Sequence, residues 1–508
     1  MLLKTSAVLI FSTLMVMAIE AFAVFANGAY FPDAMTLCIV GAWAIFLFLV
    51  FTERDEIIHG WTHGQIVLLG LAAASWLWVG LSMRWSIAAD QTWIDFNRTG
   101  GYFAIFAIGI LIGRFRLPRR LAPVLLLAVI TAAAVYGLGA KALPSVVENA
   151  DEMGRLAIPI GYVNAMGLLM ALGYVLSIYL MAAKDFHWIV RLLSAMASPL
   201  LLVGLFFTVS RGAAIALFFG LLIYFAIVPL RLRGFGAMAL AIPPAFLVAR
   251  WSSAQSALMN NNVNLDDRLS VAPSLRLYLL LAVLWVAVIF SVSLLVGKRI
   301  NFSPKVNKVV GAFLIIAISS LTIFTTASFA LSKPSVGEWA SEAFHNLKYG
   351  IPTNEGSARL LEMGSSGRWR LWEVAVQNWQ ENPVKGSGGQ SFPITHLLKR
   401  DDGNNFVKQP HGHPFQLLSE LGIIGFALGM AFISIAMAFS VLLLCRLNDR
   451  WERSLAGALI AMLVVYLIHA AYDWDWNMFA LTMIYFFFTG LLIGWPRPET
   501  GEPTRAED

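Results

Sequence analysis

Charge is scarce in this chain: Asp, Glu, Lys and Arg make up only 13% of its 508 residues, about half the share of an ordinary soluble domain. Together with 58% hydrophobic residues and a mean hydropathy of +0.72, this excludes a string of soluble domains. Cysteine is nearly absent. Cys38 and Cys445 stand far apart in apolar runs, which leaves neither a disulfide framework nor a Cys-based metal site. The net charge is only +6 and the arginines cluster in short loops, an arrangement that serves membrane topology rather than nucleic acid. There is no internal repeat and no long low-complexity tract. The stretch Gly386-Ser387-Gly388-Gly389 lacks the Gly-Lys-Ser/Thr of a phosphate loop and reads as a flexible turn.

What the chain has in abundance is apolar runs of spanning length, about 20 residues each. Fourteen are expected: 5–26, 32–52, 65–83, 98–114, 121–140, 162–183, 189–208, 211–229, 234–250, 276–297, 308–331, 416–444, 454–471 and 476–495. The expected fold is an all-α polytopic bundle of about 12–14 spans. The first run carries only Lys4 ahead of it, is interrupted by Glu20 and lacks a cleavage site, so it is expected to remain in the chain. Arg114, Arg116, Arg119 and Arg120, then Arg231 and Arg233, then Lys298, Arg299, Lys305 and Lys308, then Arg446, Arg450 and Arg453 all fall on one side of such a bundle. Lys/Arg bias makes that side cytoplasmic. Both termini follow it, and 84–97, 141–161, 209–211, 251–275 and 332–415 face outward. The division expected is a bundle at 1–331, a large outer segment at 332–415, three closing spans at 416–495 and a disordered tail at 496–508.

Polar chemistry concentrates on the outward side. Ser366 is placed to cap a helix that Pro383 stops, and Trp369, Trp372, Val376 and Trp379 would form its aromatic stripe. That stripe packs on the bundle, rests at the interface or stacks on sugar rings. Arg211, in the hairpin Thr208-Val209-Ser210-Arg211-Gly212, is a boundary arginine, and such a charge is a functional candidate unless it snorkels to lipid phosphate. Arg368 and Arg370 open the outer helix with a fork suited to phosphate. His411 and His413 stand before a resuming apolar helix, where an imidazole can act as a base near neutral pH. Zinc bound by these histidines with Asp401 or Asp402 is the competing reading, on a weak ligand pattern. His59 and His63 share a chelating spacing but read as interfacial, and Asp473 and Asp475 read as helix caps or arginine partners.

Several of these segments together resemble the O-antigen ligase and polymerase family, membrane enzymes that move glycans from undecaprenyl diphosphate onto an acceptor. Gly161-Tyr162-Val163-Asn164-Ala165-Met166-Gly167 is similar to the family's Gly-Tyr-x-Asn-Ala-x-Gly motif, and Ser210-Arg211-Gly212 to its Ser-Arg-Gly hairpin. Gly367-Arg368-Trp369-Arg370-Leu371-Trp372 through Pro383 and Gly386-Ser387-Gly388 resembles its outer-loop run. His411-Gly412 and Glu420-Leu421-Gly422-Ile423-Ile424-Gly425 resemble its histidine signature, with Gly412 in place of the usual Asn, Ser or Gln.

The resemblance implies His411 as catalytic base and Arg211 and Arg368 as the diphosphate grip. Asn164, Arg370, His413, Glu420 and Asp473 are implied in support. It implies no cofactor and no metal, an inverting single displacement, and an active site on the outer side of the bacterial cytoplasmic membrane. Its partners are an undecaprenyl-diphosphate-linked glycan donor, a glycan, lipid-anchored or protein acceptor, and the bilayer. Ligase, polymerase and protein O-oligosaccharyltransferase remain open. A transporter or flippase for lipid-linked glycan is the reading of another class; it would call for repeated halves and broken spans.

Overall fold

The computed structural model describes residues 2–53, 60–147, 154–261, 263–296, 335–350, 364–400 and 406–496, with isolated positions at 306, 309, 311–313, 316 and 358. The protein is all-α, with no strand among the described residues. Among the described residues, eleven helices are long and apolar enough to cross a bilayer, and two shorter apolar helices accompany them. They are α1 (Leu2–Phe25), α2 (Pro32–Thr52), α3 (His63–Ser82), α4 (Ala89–Gly113), α5 (Arg116–Ala142), α6 (Val163–Ala182) and α7 (Trp188–Thr208). Then follow α8 (Arg211–Ile227), α9 (Arg231–Ser252) and α10 (Leu265–Val296). The segment expected to form the outer domain contributes α11 (Val336–Tyr349), α12 (Arg368–Glu381) and α13 (Phe392–Lys399), before α14 (His413–Arg446), α15 (Arg450–Ala470) and α16 (Phe479–Ile493). Thirteen expected spans thus coincide with helices. Apart from the isolated positions just given, the span expected at 308–331 lies outside the described residues, as do Lys298, Arg299, Lys305, Lys308, His59, Asp401, Asp402 and the tail from 497.

Large apolar side chains such as Leu37, Phe51, Leu247 and Val288 face outward, as a lipid-facing belt requires. Helix α6, by contrast, is buried along its whole apolar length and forms the centre of the bundle. At the crossing of α4 and α16 the backbones touch: a Cβ on Gly109 would stand 2.4 Å from the Phe487 carbonyl oxygen. Small residues permit that approach, the usual device where lipid leaves little hydrophobic drive between helices.

Three local expectations need correction. Helix α4 begins at Ala89 rather than near 98, which shortens the loop expected at 84–97. Its first turns carry Asp95 and Arg98, buried and paired at 3.3 Å, with Arg98 Nη1 also donating to Asn477 Oδ1 at 2.7 Å. Hydropathy alone does not register charges satisfied inside a helix. Ser366 does not cap α12; Gly367 is the cap residue, and Ser365 Oγ accepts from the Trp369 N–H at 3.5 Å. The buried face of α12 is Val374, Ala375 and Asn378, flanked by the half-buried Trp369, Trp372, Val376 and Trp379.

Helix α14 is broken at Gly422, whose backbone angles are φ 65° and ψ −167°. Twelve residues of straight helix would put Leu417 about 18 Å from Gly429. Instead, a Cβ on Gly429 would meet Leu417 Cδ1 at 2.8 Å, so the segment from His413 to Leu421 folds back along the rest of the helix. The Ile423 N–H then donates to the Pro383 carbonyl at 2.9 Å and the Gly388 N–H to the Glu420 carbonyl at 2.8 Å, docking the outer segment on the break.

The connections gather on two faces. On one, Gln409 reaches the Tyr30 hydroxyl at 3.0 Å and the Ile87 N–H reaches the Ser387 carbonyl at 3.1 Å. On the other, Arg116 and Arg119 pair with Glu452 at 3.1 and 3.2 Å, and Arg120 with Asp185 at 2.8 Å.

Candidate functional site

The first face holds a cluster centred on Asp473, in the turn between α15 and α16. This carboxylate is only 1% exposed and accepts from five donors. Arg368 Nη2 is 2.8 Å from Oδ2, Asn164 Nδ2 also 2.8 Å from Oδ2, and the Tyr162 hydroxyl 3.1 Å from Oδ1. The Trp474 N–H is 2.9 Å from Oδ1 and His411 Nδ1 3.2 Å from Oδ1. Burial alone would raise the Asp473 carboxyl, yet the Arg368 guanidinium and the His411 hydrogen bond outweigh it and hold it well below the usual carboxylate range. Burial and the Asp473 charge push the Tyr162 hydroxyl up, so it remains a protonated donor.

Each contributor is delivered by its local structure. Tyr162 and Asn164 flank the start of α6. That helix end touches the Ser-Arg-Gly hairpin directly: a Cβ on Gly167 would stand 2.9 Å from Ser210 Cβ and from Thr208 Oγ1. Ser210 caps α8 by accepting from the Ala213 N–H at 3.3 Å, and Arg211 is the first residue of that helix. The Tyr472 hydroxyl donates to the Gly212 carbonyl and ties the hairpin to the Asp473 turn. Arg368 opens α12, whose Trp372 Nε1 donates to the His411 carbonyl at 2.9 Å. His411 itself has a left-handed backbone, φ 51°, a conformation that costs energy in a non-glycine residue and recurs at functional sites.

Asn164, Arg368, His411 and Asp473 therefore come together. Arg211 stands beside them, its Nη2 donating to the Gly364 carbonyl at 3.2 Å and lying 3.4 Å from Ser366 Oγ, two residues before Arg368. Arg370 is exposed and makes no contact with the cluster. His413 is buried and stacked on Trp476 with ring centres 3.8 Å apart, and neither ring nitrogen has a hydrogen-bond partner among the described residues. Glu420 belongs to a second polar group: Oε1 accepts from the Phe392 N–H at 3.2 Å and Oε2 from Gln416 at 3.1 Å. With Asp95, His413 and Gln416 it lines a cavity of about 60 Å³ whose remaining wall is largely apolar, including Trp76 and Phe432.

Sequence reasoning missed Arg155 and the role of Tyr162. Arg155 donates through Nη2 to Asn164 Oδ1 at 3.1 Å and through Nε to the Thr208 carbonyl at 2.8 Å. Its position six residues ahead of Gly161, at the head of the apolar run Leu156-Ala157-Ile158-Pro159-Ile160, was the available signal. Among the described residues no three His, Cys, Asp or Glu side chains stand together as a metal site.

An all-helical multi-pass membrane protein with a cationic, carboxylate-anchored histidine cluster at one face is the class these features define. The model of the family described as O-antigen ligase matches residues 274–430, from α10 through the break in α14. Over those residues the chain is similar to the O-antigen ligase family, which supports membrane glycosyltransferase activity of that general kind. Asn164, Arg211 and Asp473 lie outside the matched segment. No curated protein sequence matches the chain.

Proposed function

We propose that the protein transfers a glycan from undecaprenyl diphosphate to an acceptor hydroxyl at the outer face of the bacterial cytoplasmic membrane, without a divalent metal. One observation carries this reading: residues far apart in sequence, Tyr162, Asn164, Arg368 and His411, converge on the Asp473 carboxylate, and the Arg211 hairpin is tied to the same turn through Tyr472 and to the segment before Arg368 through Gly364. In the tautomer that donates Nδ1–H to Asp473, His411 leaves Nε2 as an acceptor. The acceptor oxygen attacks the anomeric carbon as its proton passes to Nε2, and the bond from that carbon to the diphosphate oxygen breaks. The diphosphate departs with the electron pair, its charge met by Arg211 and by the Arg368 N–H groups that Asp473 does not occupy; Arg368 Nε has no hydrogen-bond partner among the described residues. Attack opposite the leaving group inverts the anomeric centre.

The test is transfer by purified protein in detergent, with undecaprenyl-diphosphate glycan and either a lipid-anchored sugar, a second lipid-linked glycan or a peptide as acceptor. His411→Ala should abolish turnover with donor binding retained. Arg211→Ala and Arg368→Ala should weaken both, since a charge-assisted contact at a diphosphate is worth about 1.5–3 kcal/mol. Turnover should survive EDTA. An active His411→Ala, or activity lost to EDTA and restored by one metal, would overturn the mechanism, and the acceptor that is consumed separates ligase from polymerase and protein glycosylation.

A further inference from the structure

Arg155 lies outside every motif that the sequence brings forward, yet it touches both halves of the site. Its Nε donates to the Thr208 carbonyl at 2.8 Å and its Nη2 lies 3.4 Å from the Val209 carbonyl, the last two carbonyls before Ser210-Arg211-Gly212. The same Nη2 donates to Asn164 Oδ1 at 3.1 Å. An amide whose oxygen is held by a guanidinium must turn its NH₂ the other way. Asn164 Nδ2 accordingly stands 2.8 Å from Asp473 Oδ2 and 2.7 Å from the Tyr162 hydroxyl oxygen. Without Arg155 the Asn164 oxygen loses its donor, and the amide is held only at its Nδ2 end, by Asp473 and the Tyr162 hydroxyl.

We propose that Arg155 is a positioning residue that fixes the Asn164 amide and, through it, the Asp473–His411 pair, while holding the Arg211 hairpin in register with them. This rests on the reading of His411 as the base. Simple capping of α7 is a different role: it uses only the Thr208 and Val209 carbonyls and acts on stability, with no reason to depend on Asn164.

A double-mutant cycle on the full-length protein, assayed for transfer from undecaprenyl-diphosphate glycan, separates the two. Arg155→Gln and Asn164→Ala should each lower kcat about tenfold while changing KM for the donor less than about twofold, and the double variant should be no slower than the slower single one. Multiplying effects, about 100-fold in the double variant, or wild-type kcat in Arg155→Gln, would overturn the proposal. Should Arg155→Gln fail to accumulate in the membrane, Arg155→Lys carries the test. A lysine ammonium can still reach the Thr208 carbonyl but lacks the fork that also spans to Asn164. It should restore membrane levels and remain about tenfold slow, and wild-type kcat there would equally sink the role. His411→Ala, measured alongside, tells the two failures apart. If it is active, the base assignment falls; if it is inactive while the Arg155 and Asn164 effects multiply, only the positioning role falls.

Discussion

Asp473 is the residue on which the cluster depends, because it is the one anion among several donors and is shielded from water. Its carboxyl is held below its ordinary value, against the cost of burial, by Arg368 and His411. A group with a depressed folded-state value contributes stability that is fully present above the unfolded carboxylate value of about 3.9 and is lost only as pH falls through the folded value. Between about pH 5 and 9 the contribution is therefore constant. Asp473→Asn leaves Arg368 without its counter-charge, and a broken buried pair costs about 3 kcal/mol, the low end of the range because the arginine keeps some solvent access. Thermal unfolding in detergent should show that deficit unchanged from about pH 9 to about pH 5. A deficit that shrinks toward pH 5 would mean the carboxyl titrates in that window. Its local sequence reads as a cap or an arginine partner, and the resemblance adds only a supporting role; the arginine it pairs with, 105 residues away, depends on tertiary packing that no local pattern encodes.

At the scale of elements, apolar run length was enough to locate the spanning helices, because burial in lipid forces every backbone polar group into a helix. It was not enough for the break in α14, since a φ/ψ choice at one glycine leaves no trace in hydropathy. The Glu420-Leu421-Gly422 motif becomes intelligible only there. Gly422 occupies a backbone region open essentially to glycine, and a Cβ on it would lie 2.4 Å from the Val384 carbonyl oxygen. Gly422→Ala must therefore either straighten α14 or push away the outer segment that carries Asn378, whose amide bridges Ser387 Oγ and the Ser419 carbonyl at 2.8 and 2.9 Å. The expected result is a loss of well over 1–3 kcal/mol of stability, read as poor accumulation or a lowered unfolding temperature. Gly429→Ala, which meets only the flexible tip of Leu417, should be far milder. Equal behaviour of the two variants would contradict the fold-back.

For the molecule as a whole, the arginine clusters that orient the sequence are also structural, since Arg116 and Arg119 converge on Glu452 and Arg119 lies over the Trp495 ring at 4.3 Å. These contacts draw the ends of α5, α15 and α16 together on the face opposite Asp473. On the proposed reading, the positive-inside rule would make that face cytoplasmic and put the candidate site outside, where a lipid-linked glycan and its acceptor would meet. The chain carries its own reporter of this arrangement. Cys445 is exposed near the end of α14 on the arginine face, whereas Cys38 is buried. Gln377, on the exposed side of α12, marks the site face. In intact cells a membrane-impermeant maleimide should label Gln377→Cys and spare Cys445, and permeabilisation should expose Cys445 as well. Labelling of Cys445 in intact cells, with Gln377→Cys protected, would turn the whole bundle over and move the candidate site to the cytoplasm, where a glycan already carried to the outer face could not be its donor.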